Sequence, residues 1–72
     1  MPKGAIISPM HGMVLSVNAK QGDHVKELDT VAVIEAMKMQ NEIKATHSGT
    51  VKKVHIFDGD VVMTGDILMV VD

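Results

Sequence analysis

The sequence predicts an all-β domain made of two copies of one half, a small sandwich or flattened barrel, and three observations carry that prediction. A shift of 37 residues superposes the halves without a gap: Gly12 falls on Gly49, Val14 on Val51, Val17 on Val54, Val25 on Val62, Asp29 on Asp66 and Val33 on Val70. Self-similarity at a fixed spacing in the apolar and turn positions marks repeated structure. Apolar residues alternate with polar ones, as Leu15, Val17 and Ala19 do with Ser16 and Asn18, the period-2 pattern of a half-buried strand. Gly-Asp turn signals recur in register, at Gly22-Asp23 and Gly59-Asp60.

Each element follows in order. Ile6 marks a first strand, and Gly12 precedes the alternating second. The Gly22-Asp23 turn leads to Val31–Ile34, a short β-branched run suited to a buried strand. In the second half Ile43 is the counterpart of Ile6, and Gly49 precedes a strand in which Val54 and Ile56 alternate with His55. Gly59-Asp60 turns the chain again, and Ile67–Val71 is the last strand. The half-repeats span about 4–35 and 41–72 of one domain, residues 1–72, with a hairpin over 36–40 between them.

That joint contradicts local propensity. Ala36, Met37, Lys38, Met39 and Gln40 are good helix formers, and Ala32, Ala36, Met39 and Ile43 fall at helical spacing. The repeat overrides this, because Val31–Glu35 maps onto the final strand and Ile43 onto the first. Residues 36–42 then cover the seam, read as a tight hairpin with Met37 and Lys38 near its tip, projecting at the edge opposite the chain ends. Met-Lys is a poor choice for a two-residue hairpin turn, whose central residues need positive φ. A broken local rule at an exposed tip points to a functional site. A plain surface hairpin with a solvated lysine is the competing reading.

Composition narrows the function. A domain of 72 residues buries only about 60% of its unfolded surface, too little for a core and an enclosed catalytic pocket together. No Ser-His-Asp or paired-carboxylate signature stands out, so an independent enzyme is not expected. The formal net charge is −2 and Phe57 is the one aromatic, which argues against a nucleic-acid partner. No apolar run is long enough for a membrane helix, and no secretory signal pattern opens the chain. The absence of cysteine fits a reducing compartment. His11, His24, His47 and His55 lack ligand-type spacing, so no metal site is expected.

Glu35-Ala36-Met37-Lys38-Met39 resembles the attachment motif of biotinyl carrier domains, the biotin carboxyl carriers of biotin-dependent carboxylases. The resemblance covers almost the whole chain. Ser8-Pro9-Met10 with Gly12 is similar to the family's opening Pro-Met-Pro-Gly, and Gly22-Asp23 with Val25-Lys26 to its first Gly-Asp turn. Gly49 with Val51, then Gly59-Asp60, is similar to the second half. The implied fold is a flattened β-barrel of two four-stranded antiparallel sheets with pseudo-two-fold symmetry. The resemblance implies that Lys38 carries covalent biotin, with Glu35, Ala36, Met37 and Met39 as the recognition motif around it.

It also implies the partners. A biotin protein ligase makes biotinyl-adenylate and presents it to Lys38, which has no base beside it in sequence and only attacks a carbonyl as the neutral amine. Biotin carboxylase and carboxyltransferase domains or subunits then use the arm in turn, with the domain itself a non-catalytic carrier. The implied location is the cytoplasm, or the mitochondrial matrix in a eukaryote. Three positions depart from the pattern: His11 for a proline, Gln40 for a frequent glutamate, and Leu28 for a turn glycine that Gly65 keeps. Leu28 predicts a first-half turn of different shape. No inserted thumb loop separates Ala19 from Gly22.

Two rivals remain at this point. A lipoyl carrier has the same implied fold, but its lysine usually follows aspartate, where Met37 stands here. An unmodified interaction module would use Met37 and Met39 only to bind a partner. Methionines suit adaptable contact surfaces, and Met39 alternatively packs on the domain itself. The parent enzyme reads as similar to pyruvate carboxylase from Lys3-Gly4 through Met10 and from Val51 to His55, with acyl-CoA carboxylases and biotin-dependent decarboxylases as alternatives.

Overall fold

A computed structural model describes residues 4–72 as eight strands, with no helix among them. In chain order these are β1 (Ala5–Ile7), β2 (Gly12–Val17), β3 (His24–Val25), β4 (Thr30–Ala36), β5 (Met39–Lys44), β6 (Gly49–Val54), β7 (Val61–Val62) and β8 (Ile67–Val71). They form two four-stranded antiparallel sheets, ordered β1-β8-β6-β3 and β5-β4-β2-β7. The molecule is flattened, 31 × 21 × 17 Å.

The 37-residue repeat is a structural operation. It carries β1 to β4 onto β5 to β8, and applied to one sheet order it returns the other. Each sheet therefore takes two strands from each half, and neither half completes a sheet alone. Turn hydrogen bonds repeat in the same register. Gly22 N–H donates to Val51 O at 2.8 Å, and Gly59 N–H to Val14 O at 2.7 Å. Lys20 N–H donates to the Asp23 carboxylate at 3.0 Å, and Phe57 N–H to that of Asp60 at 2.8 Å. An aspartate one place after the glycine thus closes each turn, which is why Gly-Asp recurs.

The core is aliphatic. Val31, Ala32 and Ile34 of β4 and Leu68, Met69 and Val71 of β8 are fully buried, one set from each sheet. Val14 and Val51 hold the equivalent places on β2 and β6. Both strands bulge just beyond, between Val14 and Ser16 and between Val51 and Lys53. The extra residue shifts the phase of the side chains. Before the bulge Val14 faces inward; after it Val17, Ala19, Val54 and Ile56 pack on or into the core. The alternation expected for residues 15–19 is therefore not that of the whole strand, and Leu15 is only half-buried.

One expectation is overturned. Leu28 does not reshape its turn: its φ is 77° against 93° at Gly65. Leu28 N–H donates to Ala45 O at 2.8 Å as Gly65 N–H does to Ser8 O at 2.8 Å. The shared hydrogen bonds fix the backbone, and leucine takes the left-handed conformation at a steric cost.

β4 positions the site. Gly49 packs against Asp72 and pairs with Val25, and Ala45 N–H donates to Asp29 O beside Thr30. The start of β4 therefore lies at the end of the molecule that holds Asp72. Seven residues of strand, about 3.3 Å each, carry the chain to the opposite end.

Candidate functional site

At that far end β4 turns directly into β5. Ala36 pairs with Met39, Glu35 with Gln40 and Ile34 with Asn41, which leaves Met37 and Lys38 as the two turn residues. Their φ values are 53° and 64°. Two consecutive left-handed residues are what a two-residue hairpin turn with primed geometry demands, normally met by Asn-Gly. The methionine and lysine are held there by six registered pairs of β4 with β5. A seam shortened to two residues keeps the reversal tight and the tip clear of the sandwich.

Side-chain directions follow from the strands. Ile34 and Ile43 point into the core, so Ala36 and Met39, even-numbered from them, lie on the inner side beyond the packed layer. Glu35 and Gln40 lie on the outer side and are exposed. Lys38 is exposed, Met37 is 95% exposed and Met39 65% exposed. Neither methionine braces the core. The one salt bridge among the described residues joins Lys44 to Glu42 at 2.8 Å, on β5, and does not involve Lys38.

Two further residues build the hairpin and have weak sequence signals. Asn41 donates its amide to Ile34 O at 3.3 Å and to Met39 O at 3.2 Å, tying the start of β5 back to β4. Gly12 lies against β4, where a side chain would collide with Glu35 O and stand 2.7 Å from Ile34 Cγ2. The repeat pairing of Gly12 with Gly49 hinted at the second; nothing hinted at the first. On the β5 edge, the Lys44 ammonium and then the Thr30 hydroxyl, both hydrogen-bonded to Glu42, hold its carboxyl below the usual carboxylate range.

Among the described residues, no side-chain hydrogen bond or salt bridge engages Lys38. An open groove of about 490 Å³ lies between the halves, lined by the repeat-related pairs Val17 with Val54 and Ala19 with Ile56, together with Phe57. None of Glu35 to Met39 lines it. No cluster of metal-ligating side chains is present among the described residues. A two-sheet scaffold that presents a lysine on a strained, exposed turn suits a carrier domain, a class that holds one side chain out to sites supplied by others.

The Biotin-requiring enzyme family model matches residues 4–71, and the chain belongs to that family. It is a biotin carboxyl carrier domain, non-catalytic, and with Met37 rather than an acidic residue before Lys38 it is not a lipoyl carrier. The mitochondrial propionyl-CoA carboxylase alpha chain of Homo sapiens is 53% identical over 62 residues, covering 86% of this chain and 8% of that one. The biotin carboxyl carrier protein of Streptococcus mutans is 42% identical over 64 residues, covering 89% and 49%. Pyruvate carboxylase of Bacillus subtilis is 39% identical over 67 residues, covering 93% and 6%. Among solved structures, the urea carboxylase of Kluyveromyces lactis superposes with a TM-score of 0.88 at 38% identity, covering 94% of this chain and 6% of that one. The chain thus spans a tenth or less of these large carboxylases and about half of the carrier protein.

Proposed function

We propose that Lys38 is the residue that carries biotin, through an amide on Nζ, and that Glu35, Ala36, Met37 and Met39 form the recognition motif around it. The observation that carries this reading is the placement of Lys38 at the centre of the exposed β4–β5 turn. The site fits the group: an amide needs a reachable amine and open space, and the tip supplies both. Unaided, Lys38 is a poor nucleophile, because a lysine amine attacks a carbonyl only when neutral. We therefore assign its deprotonation and the activated carboxyl group to a biotin protein ligase. Lys38 Nζ forms the new C–N bond, the activating group leaves, and the amine proton passes to the ligase or to water.

Once attached, biotin supplies group-carrier chemistry, accepting carboxylate in a biotin carboxylase site and releasing it in a carboxyltransferase site. The chain contributes reach and confinement. The two-sheet core fixes the base of the arm, and the tip stands at the end of the molecule opposite Asp72. Tethering makes each visit intramolecular, so the local concentration of the group stays high without tight binding. For the parent enzyme we infer an acyl-CoA carboxylase in preference to a pyruvate carboxylase, from 53% identity to the human propionyl-CoA chain against 39% to the Bacillus one. Supplying the domain's own carboxylase subunits with propionyl-CoA or pyruvate and labelled bicarbonate tests that choice. Label in the acyl-CoA product supports it, and label only from pyruvate overturns it. The Lys38 assignment is tested by intact mass after incubation with a ligase, ATP and biotin: one biotinyl group on the wild type and none on Lys38→Arg.

A further inference from the structure

The repeat gives the molecule an internal comparison, because its two ends are built from equivalent positions. At the Asp72 end these positions hold Lys26, His47 and Thr50; at the hairpin end their counterparts are Met63, Met10 and Met13. Gly12 pairs with Val62 and packs against Glu35, which places all three methionines around the base of the hairpin. Met37 and Met39 add two more at its tip. Five of the seven methionines in the chain therefore gather at one end, while Met69 is fully buried in β8. Fold symmetry does not require this, since the other end builds the same backbone from polar residues.

Met37 and Met39 stand on both sides of Lys38 and are 95% and 65% exposed. We propose that this pair is an oxidation site that controls biotin attachment: hydrogen peroxide converts the two thioethers to sulfoxides, and the sulfoxides block recognition of Lys38. In each step the sulfur loses two electrons and gains one oxygen, and the peroxide is reduced to water. A flexible apolar side chain becomes a polar, chiral one, which disrupts contacts built on methionine. The change is reversible by methionine sulfoxide reductases, one for each sulfoxide epimer. The effect on attachment rests on the assignment of Lys38 as the biotin site; the oxidation itself does not.

The test uses the unmodified chain. It is treated with hydrogen peroxide, quenched with catalase before biotin is added, mapped by peptide mass, and given to a biotin protein ligase with ATP and biotin. Met37 and Met39 should gain oxygen well before Met69, and the initial rate of biotinylation should fall by at least about tenfold. Treatment with both sulfoxide reductases should restore it. In a Met13→Leu, Met63→Leu background the loss should persist, since Met37 and Met39 are then the exposed methionines among the described residues. Oxidation of Met37 and Met39 no faster than Met69, an unchanged rate after their full oxidation, or a loss that vanishes in that background overturns the proposal. Failure of the untreated chain to accept biotin overturns the Lys38 assignment instead, and the attachment effect with it.

Discussion

Leu28 and Gly65, one repeat apart, hold the same left-handed backbone, with φ of 77° and 93° and matching hydrogen bonds to Ala45 and Ser8. Leucine has no favourable access to that region, and its side chain is 71% exposed, so it recovers little by packing. Leu28→Gly should therefore stabilise the domain by about 0.5–1 kcal/mol, after the greater flexibility of glycine in the unfolded chain is set against the relieved strain. Thermal unfolding should show a rise of about 2–8 °C. A fall in the midpoint would show that Leu28 makes contacts that outweigh its strain.

Gly12 and Gly49 are also repeat partners, but a side chain would be more crowded at the first. A side chain at Gly12 meets Glu35 O and Ile34 within β4, which is paired on both sides; at Gly49 it meets Asp72 O, which accepts from Thr50 N–H at 3.0 Å. Gly12→Ala should cost about 3 kcal/mol and Gly49→Ala about 1 kcal/mol, because the added carbon overlaps Glu35 O and Ile34 Cγ2 more deeply than it does Asp72 O, 2.7 Å away. Urea titration measures both. The larger cost should come with slower biotinylation, since Glu35 leads into the hairpin.

The turn holds two residues in a strained conformation at the proposed attachment site. Lys38 sits at φ 64°, and Lys38→Gly removes a penalty of about 1–2 kcal/mol while deleting the amine. The variant should unfold at equal or higher urea concentration than the wild type and accept no biotin. Destabilisation would mean that the lysine side chain supports the hairpin, contrary to its exposure.

The Glu42 carboxyl is held low by its hydrogen bonds to Lys44 and Thr30. A lowered folded-state pKa contributes stability above the unfolded value, and that contribution is lost as pH falls through the folded one. Glu42→Gln should therefore lower stability slightly at neutral pH, with the difference shrinking on acidification and vanishing once the pH is below the lowered folded-state value. The group is exposed to solvent, so the difference should also shrink with added salt. A difference that grows on acidification would contradict the sign.

Much of this fold is legible in the residues, and the reasons differ from element to element. The repeat and the Gly-Asp turns locate the strands, because turn closure by Asp23 and Asp60 is a local event that leaves a local signature. The same repeat turns Ala36 to Gln40 from a helix into a hairpin, against the propensity of every residue in it. The exchange of strands between sheets leaves no such trace: β1 pairs with β8 and β3 with β6 through contacts distant in sequence. The bulges at Val14 and Val51 are equally silent, since no glycine or proline marks them, and they shift which of the following residues face the core. Leu28 misled because identity suggested a different turn, whereas the hydrogen-bond frame around it fixes the backbone whatever the side chain. At the site, the lysine between methionines was visible, but the Asn41 amide that ties the hairpin to Ile34 and Met39 was not.

Intact mass of the domain co-expressed with a biotin protein ligase tests the central claim most directly. The wild type should carry one biotinyl group, located by peptide mapping on Lys38 and on none of the other six lysines, and Lys38→Arg should stay unmodified while remaining folded. Biotin retained on folded Lys38→Arg, or found on another lysine of the wild type, would contradict it.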